Sequence, residues 1–314
     1  MARTQTRIAV LYGGPSAEAE VSRSSAAGVA QALRETYANV ELSQLTPALT
    51  RKLLDNPPDV VFPVLHGPPG EDGTLQGYLE ILGLTYVGSG VQSSAIAMDK
   101  VAAKRAFAAA GLPLAEQVVV DRNDGAAAAL DRVRDTLGDY VVVKPDGQGS
   151  ALGVTLVSNE NELHTALETA FGFGPRALVE SRLDGREITV GIIDTDDGPQ
   201  AFPVIEIVTP ADSWYDYDHR YTAGLSEHVI PAPMPDAQSR RLQAIAVAAH
   251  TALGCRDLSR ADFVVADDDT EILLEVNTMP GMTPTSNYPD GAGAFGIPFP
   301  QLVSYFVERA LDRA

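Results

Sequence analysis

Four residues near the C-terminus have types and spacing that could do chemistry: Arg260, Asp262, Glu275 and Asn277. Two strand-like runs, 260–266 and 271–277, flank the turn-rich tetrad Asp267-Asp268-Asp269-Thr270, which is the pattern of a β-hairpin. With that tetrad as the loop, Ala266 faces Glu271, Asp262 faces Glu275 and Arg260 faces Asn277. The period of two then puts all four polar residues on one face, with Phe263, Val264 and Leu274 supplying apolar surroundings. Directly opposed carboxylates have Cβ atoms about 5 Å apart and repel unless something neutralises them. Two carboxylates and an amide oxygen form an all-oxygen set suited to Mg²⁺ or Mn²⁺, and magnesium usually also meets nucleotide phosphates. The alternative is that Arg260 alone neutralises an exposed acidic face.

A second constellation begins at Lys144 and runs through Pro145-Asp146-Gly147-Gln148-Gly149-Ser150-Ala151-Leu152-Gly153 between two strand-like runs. Three glycines let backbone N–H groups close over an anion, with Lys144 at the strand end as a cation. The spacing is neither the Walker pattern nor the dinucleotide fingerprint. By itself such a loop is equally a mobile hairpin tip; beside the acidic face and Lys100 it reads as a nucleotide lid. Two further loops, Gly13-Gly14-Pro15-Ser16-Ala17-Glu18 and His66-Gly67-Pro68-Pro69-Gly70-Glu71-Asp72-Gly73, follow strand-like runs.

The elements that must position these residues fall into three units, 1–97, 98–183 and 184–314. Strands at 8–12 and 60–65 alternate with helices at 22–33 and 75–82, the rhythm of a parallel α/β sheet whose ligands sit at the carboxyl ends of strands. The second unit starts with a helix near 98–107. It continues as strand 117–120, helix 126–137, strands 140–143 and 154–157, helix 160–171 and strand 177–180, a small mixed α+β arrangement. The third starts with strand 186–193, passes an irregular stretch at 214–228 in which Trp214, Tyr215 and Tyr217 read as packing, and ends in a helix at 299–311. In that helix Leu302, Val303, Phe306, Val307, Ala310 and Leu311 recur at helical spacing and mark a buried face.

Composition bounds the partners. The 314 residues are 45% hydrophobic and 21% charged, which fits a globular chain of more than one domain. The formal charge of −19 disfavours nucleic acid, whose binding draws on a basic surface, while leaving room for a small phosphate ligand held by a few local cations. A single cysteine, Cys255, cannot form an internal disulfide and reads as a small buried apolar residue. No apolar run approaches the roughly 18 residues of a membrane span, and no signal peptide is evident, so the expected location is the cytoplasm.

These motifs resemble the ATP-grasp ligases, and within them the D-alanine:D-alanine ligases. The resemblance is carried by Gly13-Gly14-Pro15-Ser16-Ala17-Glu18, His66-Gly67 with Gly70-Glu71-Asp72-Gly73, Gly88-Ser89-Gly90 and Met98-Asp99-Lys100. It continues through Lys144-Pro145 with the glycine loop, Tyr215 to Tyr221, and Glu275-Val276-Asn277-Thr278-Met279-Pro280-Gly281-Met282-Thr283. It implies α/β and α+β architecture: an N-terminal parallel-sheet (pre-ATP-grasp) domain, a small central lid and a C-terminal catalytic domain. It implies a homodimer that makes a cell-wall (peptidoglycan) precursor from D-alanine and ATP with Mg²⁺ or Mn²⁺, two ions, and leaves open a monovalent cation. Lys100, Lys144, Ser150 and Arg220 match phosphate-side positions, and Glu180, Leu183 and Glu187 match the adenine and ribose region. Glu18, with His66 nearby, matches the acceptor of the first substrate's ammonium, and Ser150 and Tyr221 match residues that link with it when the lid closes. Arg260 and the Gly281 N–H match the oxyanion donors, Ser286 the holder of the second carboxylate, and Asp262, Glu275 and Asn277 the metal ligands.

Each of two carried residues also has a plainer role: His66 as a strand-end cap, Glu18 as a first-turn dipole residue. Three positions depart from the family pattern: Arg220 stands where lysine is usual, Ala151 where a second serine often follows Ser150, and Ser181 where lysine is common. The departures at Ala151, Ser181 and Asn287 leave room for a relative that joins a different D-amino acid. Tyr221 favours an amine over a hydroxyl nucleophile, because relatives that make D-alanyl-D-lactate commonly lack it.

Overall fold

The computed structural model describes residues 3–16, 18–210, 214–216, 219, 220, 222 and 224–313. Three sheets organise the chain. The first is parallel, in the order β2-β1-β3, from β1 (Arg7–Tyr12), β2 (Asn39–Gln44) and β3 (Val60–Pro63). Its central strand is apolar at consecutive positions because both faces are covered. Ile8 and Val10 point into a core shared with α1 (Ala19–Leu33) and the C-terminal helix α10 (Phe299–Leu311), while Ala9 and Leu11 point to α2 (Leu49–Asp55) and α3 (Thr74–Ile81). Leu302, Val303, Phe306, Val307 and Ala310 of α10 are fully buried there, and Leu311 packs at the edge.

Helix α4 (Val91–Met98) ends at Asp99, whose carboxylate caps α5 (Lys100–Ala109) by accepting from the Ala102 N–H at 2.7 Å. The chain therefore turns at Asp99 instead of running as one helix through residues 98–107. The second sheet is antiparallel, β4-β7-β5-β6, from β4 (Gln117–Asp121), β5 (Val141–Pro145), β6 (Thr155–Val157) and β7 (Arg176–Ser181). Helices α6 (Ala126–Leu137) and α7 (Glu160–Phe171) cover the face carrying Val141 and Val143. The period of two turns Val142 and Lys144 to the other face.

The third sheet has six strands, β8 (Arg186–Thr195), β9 (Gly198–Ala201), β10 (Ile205–Val208), β11 (Glu227–Val229), β12 (Leu258–Val265) and β13 (Glu271–Asn277). Their order is β11-β10-β8-β12-β13, with β9 paired to β8. Helix α5 and the long helix α8 (Asp236–Ala252) bury its back through Phe107, Leu242, Ala246 and Phe263. Helix α9 (Asn287–Phe295) follows β13.

The β12–β13 register corrects the sequence expectation at one end. Arg260 faces Asn277 and Asp262 faces Glu275, but Phe263 faces Leu273 and Val265, not Ala266, faces Glu271. The cause lies in the turn: Asp269 takes a left-handed φ of 67°, and the Ala266 N–H bonds to the Thr270 carbonyl at 2.9 Å, giving a shorter loop than the expected tetrad. A β-bulge at Leu274 absorbs the offset. It also lets Ile272, Leu274 and Glu275 all face the same cavity, where strict alternation would send Glu275 to the core side with Leu273.

Candidate active site

Two adjoining cavities open where the second and third sheets meet, the smaller also walled by the loops that follow β1 and β3. The larger, about 460 Å³, has apolar walls from Val142, Leu156, Val264, Ile272 and Leu274. Its polar lining includes Lys100, Lys144, Glu180, Glu187, Arg220 and Glu275, and Leu183 and Ser181 lie along it. An apolar-walled cavity of this size with several charged groups in its lining suits a nucleotide. Glu180 is fully buried: one carboxylate oxygen pairs with Lys104 at 2.6 Å and the other accepts from Lys144. Burial acts to raise its pKa, but the two ammonium groups outweigh it and hold the carboxyl down to about 2. Glu187 accepts from the Tyr215 N–H at 3.0 Å, and its pKa is raised, chiefly by burial. The Arg220 guanidinium lies over the Tyr215 ring, 4.4 Å from its centroid.

The smaller cavity, about 60 Å³, is lined by Glu18, His66, Glu71, Ser150, Arg260, Asn277, Gly281 and Ser286, among others. It meets the larger one at Tyr215, Arg220 and Glu275, which line both. Glu18 occupies the residue before α1, yet its side chain makes no capping bond; the buried carboxylate instead accepts from the Ser150 hydroxyl. Ser150 and Ala151 both adopt left-handed backbone (φ 50° and 57°), so the glycine-rich loop bends sharply where it meets Glu18. Lys100 anchors the same loop by donating to the Gln148 carbonyl at 2.7 Å.

His66 is buried with its ring 3.3 Å from the Ser25 hydroxyl, while its carbonyl accepts from Ser16. Burial lowers its pKa and keeps the imidazole neutral. The Ser286 hydroxyl accepts from the Thr283 N–H at 3.0 Å just ahead of α9, and a Cβ at Gly281 would lie 2.6 Å from it. A side chain at 281 would force the Ser286 hydroxyl to move.

On the hairpin face, Arg260 grips Asp262 through two bonds of 2.8 and 2.7 Å, and Thr189 donates to the same carboxylate at 2.6 Å. Burial opposes the Arg260 charge, but Asp262 more than compensates and its pKa is raised. Lys100 pairs with Glu275 at 3.0 Å; against burial, Lys100 and Arg220 hold the Glu275 carboxyl down to about 2. Arg260 is thus not the sole neutralising cation, since Lys100 and Arg220 act on Glu275, and the acidic face is half-buried, not exposed. Among the described residues no cluster of three or more His, Cys, Asp or Glu side chains gathers as a metal centre. What the hairpin offers is two carboxylates and the Asn277 amide, whose oxygen accepts from the Met279 N–H at 2.8 Å. That all-oxygen set fits a hard divalent cation.

Tyr221, with Tyr217, lies outside the described residues. Tyr215 is not loop packing but a wall of both cavities, and Trp214 lines the larger. Two buried groups went unassigned in the sequence. Glu71 accepts from the Gly67 N–H at 2.6 Å and lines the smaller cavity; burial first, then Glu18, push it up to about 8. Lys104 is the second. The only signals were an acid inside a glycine-rich loop and a lysine four residues after Lys100.

Sequence comparison is decisive at this point. The profile of the D-ala D-ala ligase C-terminus matches residues 106–308 and that of its N-terminus residues 47–89. The chain belongs to the D-ala D-ala ligase family. A D-alanine–D-alanine ligase of Halalkalibacterium halodurans is 43% identical over 98% of this chain and 100% of its own length. Among solved structures, the D-alanyl-alanine synthetase A of Vibrio cholerae superposes with a TM-score of 0.87 at 27% identity, covering 99% of this chain and 100% of that one. The VanG D-Ala:D-Ser ligase of Enterococcus faecalis gives 0.84 at 29% identity, covering 98% and 99%. The mixed α/β and α+β architecture is that of the family's ATP-grasp fold. Among the described residues no helix is long and apolar enough to cross a membrane.

Proposed function

We infer that this protein is an ATP-dependent ligase that joins two D-alanine molecules for peptidoglycan precursor synthesis. The observation that carries the reading is the junction of a nucleotide-sized cavity with a small polar one at Glu275, Arg220 and Tyr215, closed by the Ser150–Glu18 contact. A phosphoryl group held at that junction lies between the nucleotide and a small carboxylate, which is the placement phosphoryl transfer requires.

In this reading the adenine lies by Leu183 and Glu180, the ribose by Glu187, and the phosphates by Lys100, Lys144, Ser150 and Arg220. Transfer of the γ-phosphoryl group to the first D-alanine's carboxylate gives ADP and D-alanyl phosphate. Glu18, with His66 beside it, receives the ammonium of that first substrate, and Ser286 receives the carboxylate of the second. The second amine, after losing a proton, attacks the acyl carbon, the C–O bond to phosphate breaks, and phosphate leaves. Arg260 and the Gly281 N–H would stabilise the tetrahedral oxyanion, and Tyr221 would join Ser150 and Glu18 in closing the lid. Asp262, Glu275 and Asn277 would hold Mg²⁺ or Mn²⁺, two ions, which supplies neutralisation of phosphate charge when bound. The reading includes lobes at 1–97, 98–183 and 184–314, a cytoplasmic location and a homodimer.

Phosphate release from ATP with Mg²⁺ tests it, each D-amino acid being supplied singly and in pairs beside an Asp262→Ala control. D-alanine-dependent release that yields the dipeptide and disappears in the control supports the assignment. Preference for D-serine or D-lactate as second substrate would keep the fold and chemistry and overturn the product.

A further inference from the structure

We propose that Lys104 is the standing counter-cation of Glu180, and that its presence lets Lys144 leave Glu180 for the phosphates of a nucleotide. The proposal rests on the ATP-site reading above.

Helix α5 carries two lysines four residues apart, and therefore on one face. They do different things. Lys100 reaches the cavity, the lid carbonyl of Gln148 and Glu275. Lys104 is 1% exposed and does not line the cavity; its Nζ pairs with Glu180 and donates to the Leu273 carbonyl at 3.0 Å. Leu273 adjoins the bulge in β13, so Lys104 is fastened to the third sheet while pairing with a carboxylate of the second. Lys144, on the cavity side of β5, pairs with the other oxygen of the same carboxylate.

Glu180 thus has two cations, one fixed behind it and one at the cavity wall. If Lys144 were its sole partner, recruiting Lys144 to phosphate would strand a buried carboxylate, which strongly disfavours the exchange. With Lys104 in place the carboxylate stays paired, and Lys144 can exchange one oxyanion for another. Lys104 touches neither cavity, so it is a positioning residue that acts through the charge of Glu180.

The test compares Lys104→Met, Glu180→Gln and the double variant by steady-state kinetics, after confirming D-alanine-dependent phosphate release in the wild type. Lys104→Met is expected to raise the KM for ATP by about tenfold or more while the KM for D-alanine stays within about twofold. Adding Glu180→Gln should remove the effect of Lys104→Met, so that the double variant matches Glu180→Gln alone within about twofold. Should Lys104→Met fail to fold, that last comparison carries the test, because both of its members lack the buried anion. A double variant with an ATP KM about tenfold above that of Glu180→Gln overturns the proposal. So does a Lys104→Met enzyme in which both KM values rise together or the ATP KM does not move. Absence of ATP-dependent chemistry in the wild type is read separately, and removes the nucleotide-site reading and this proposal with it.

Discussion

Glu180 and Glu71 are both buried carboxylates on the walls of adjoining cavities, and their acidities are driven in opposite directions. Glu180 sits between Lys104 and Lys144 and is held down to about 2. Glu71 has burial and the Glu18 carboxylate raising it, against only the Gly67 N–H and the more remote Arg260 lowering it, and rises to about 8. Burial is common to both, so the counter-ions decide the outcome. The proposed nucleotide side is built charged and paired before any ligand arrives. The proposed amino-acid side is built with an excess of carboxyl groups, the surroundings an incoming ammonium would complement.

The largest expected effect comes from breaking the paired side. Glu180→Leu leaves Lys104 buried with no carboxylate, and such a deletion typically costs about 3–5 kcal/mol. Urea unfolding of wild type and variant measures it. A loss below about 1 kcal/mol would show that the pair is not what sets this region's stability.

The Glu71 side responds to pH instead. Glu71 has a folded pKa above its unfolded value of about 4.3, so the stability conferred by its neutral form is complete below that value and is lost as pH rises to about 8. Glu71→Gln keeps the shape and an oxygen for the Gly67 N–H but cannot ionise. The variant should match wild type at pH 4 and exceed it by about 2–4 kcal/mol at pH 9. The neighbouring Glu18, His66, Arg260 and Glu275 are common to both proteins, so their titration largely cancels in the difference. Parallel stability curves across that window would contradict the assigned charge state.

The paired side was the more legible of the two in the sequence. Helices α6, α7 and α10 have the bounds read from the sequence, and Asp262 faces Glu275 because the functional end of the hairpin tolerates an error in the loop. The bulge at Leu274 was not legible, since it compensates a turn whose geometry depends on one left-handed aspartate. Helix α8 was missed because alanines share its buried positions with Leu242 and give little contrast. Strands β9 to β11 are three or four residues long, and β2 and α2 were also missed. The roles of Lys104 and Glu71 come from contacts across more than 60 residues or from burial, neither of which spacing along one element reveals.

Gly67 joins the two carboxyl groups of the amino-acid side, so it tests their geometry at smaller amplitude. Its N–H bonds to Glu71, its φ is +67°, and a Cβ there would stand 2.8 Å from Glu18 Oε2. Gly67→Ala adds left-handed strain of about 1–2 kcal/mol and displaces Glu18. The KM for D-alanine should rise about tenfold while that for ATP stays within about twofold. A larger effect on ATP would separate Glu18 from the amino-acid site.

Cys255 extends the comparison to a third acid, a half-buried one, and carries the smallest expected effect. Burial pushes its thiol up to about 12, the direction taken by Glu71, and no lysine or arginine is among the groups that shift it. The thiolate fraction at pH 8 is then about one in ten thousand, and the thiolate is the reactive form. Iodoacetamide at pH 8 should leave the folded enzyme unmodified and fully active, and should label one thiol per chain once the protein is unfolded in urea. Rapid labelling of the folded protein would place a cation or open water beside Cys255 and take it out of the class that Glu71 represents.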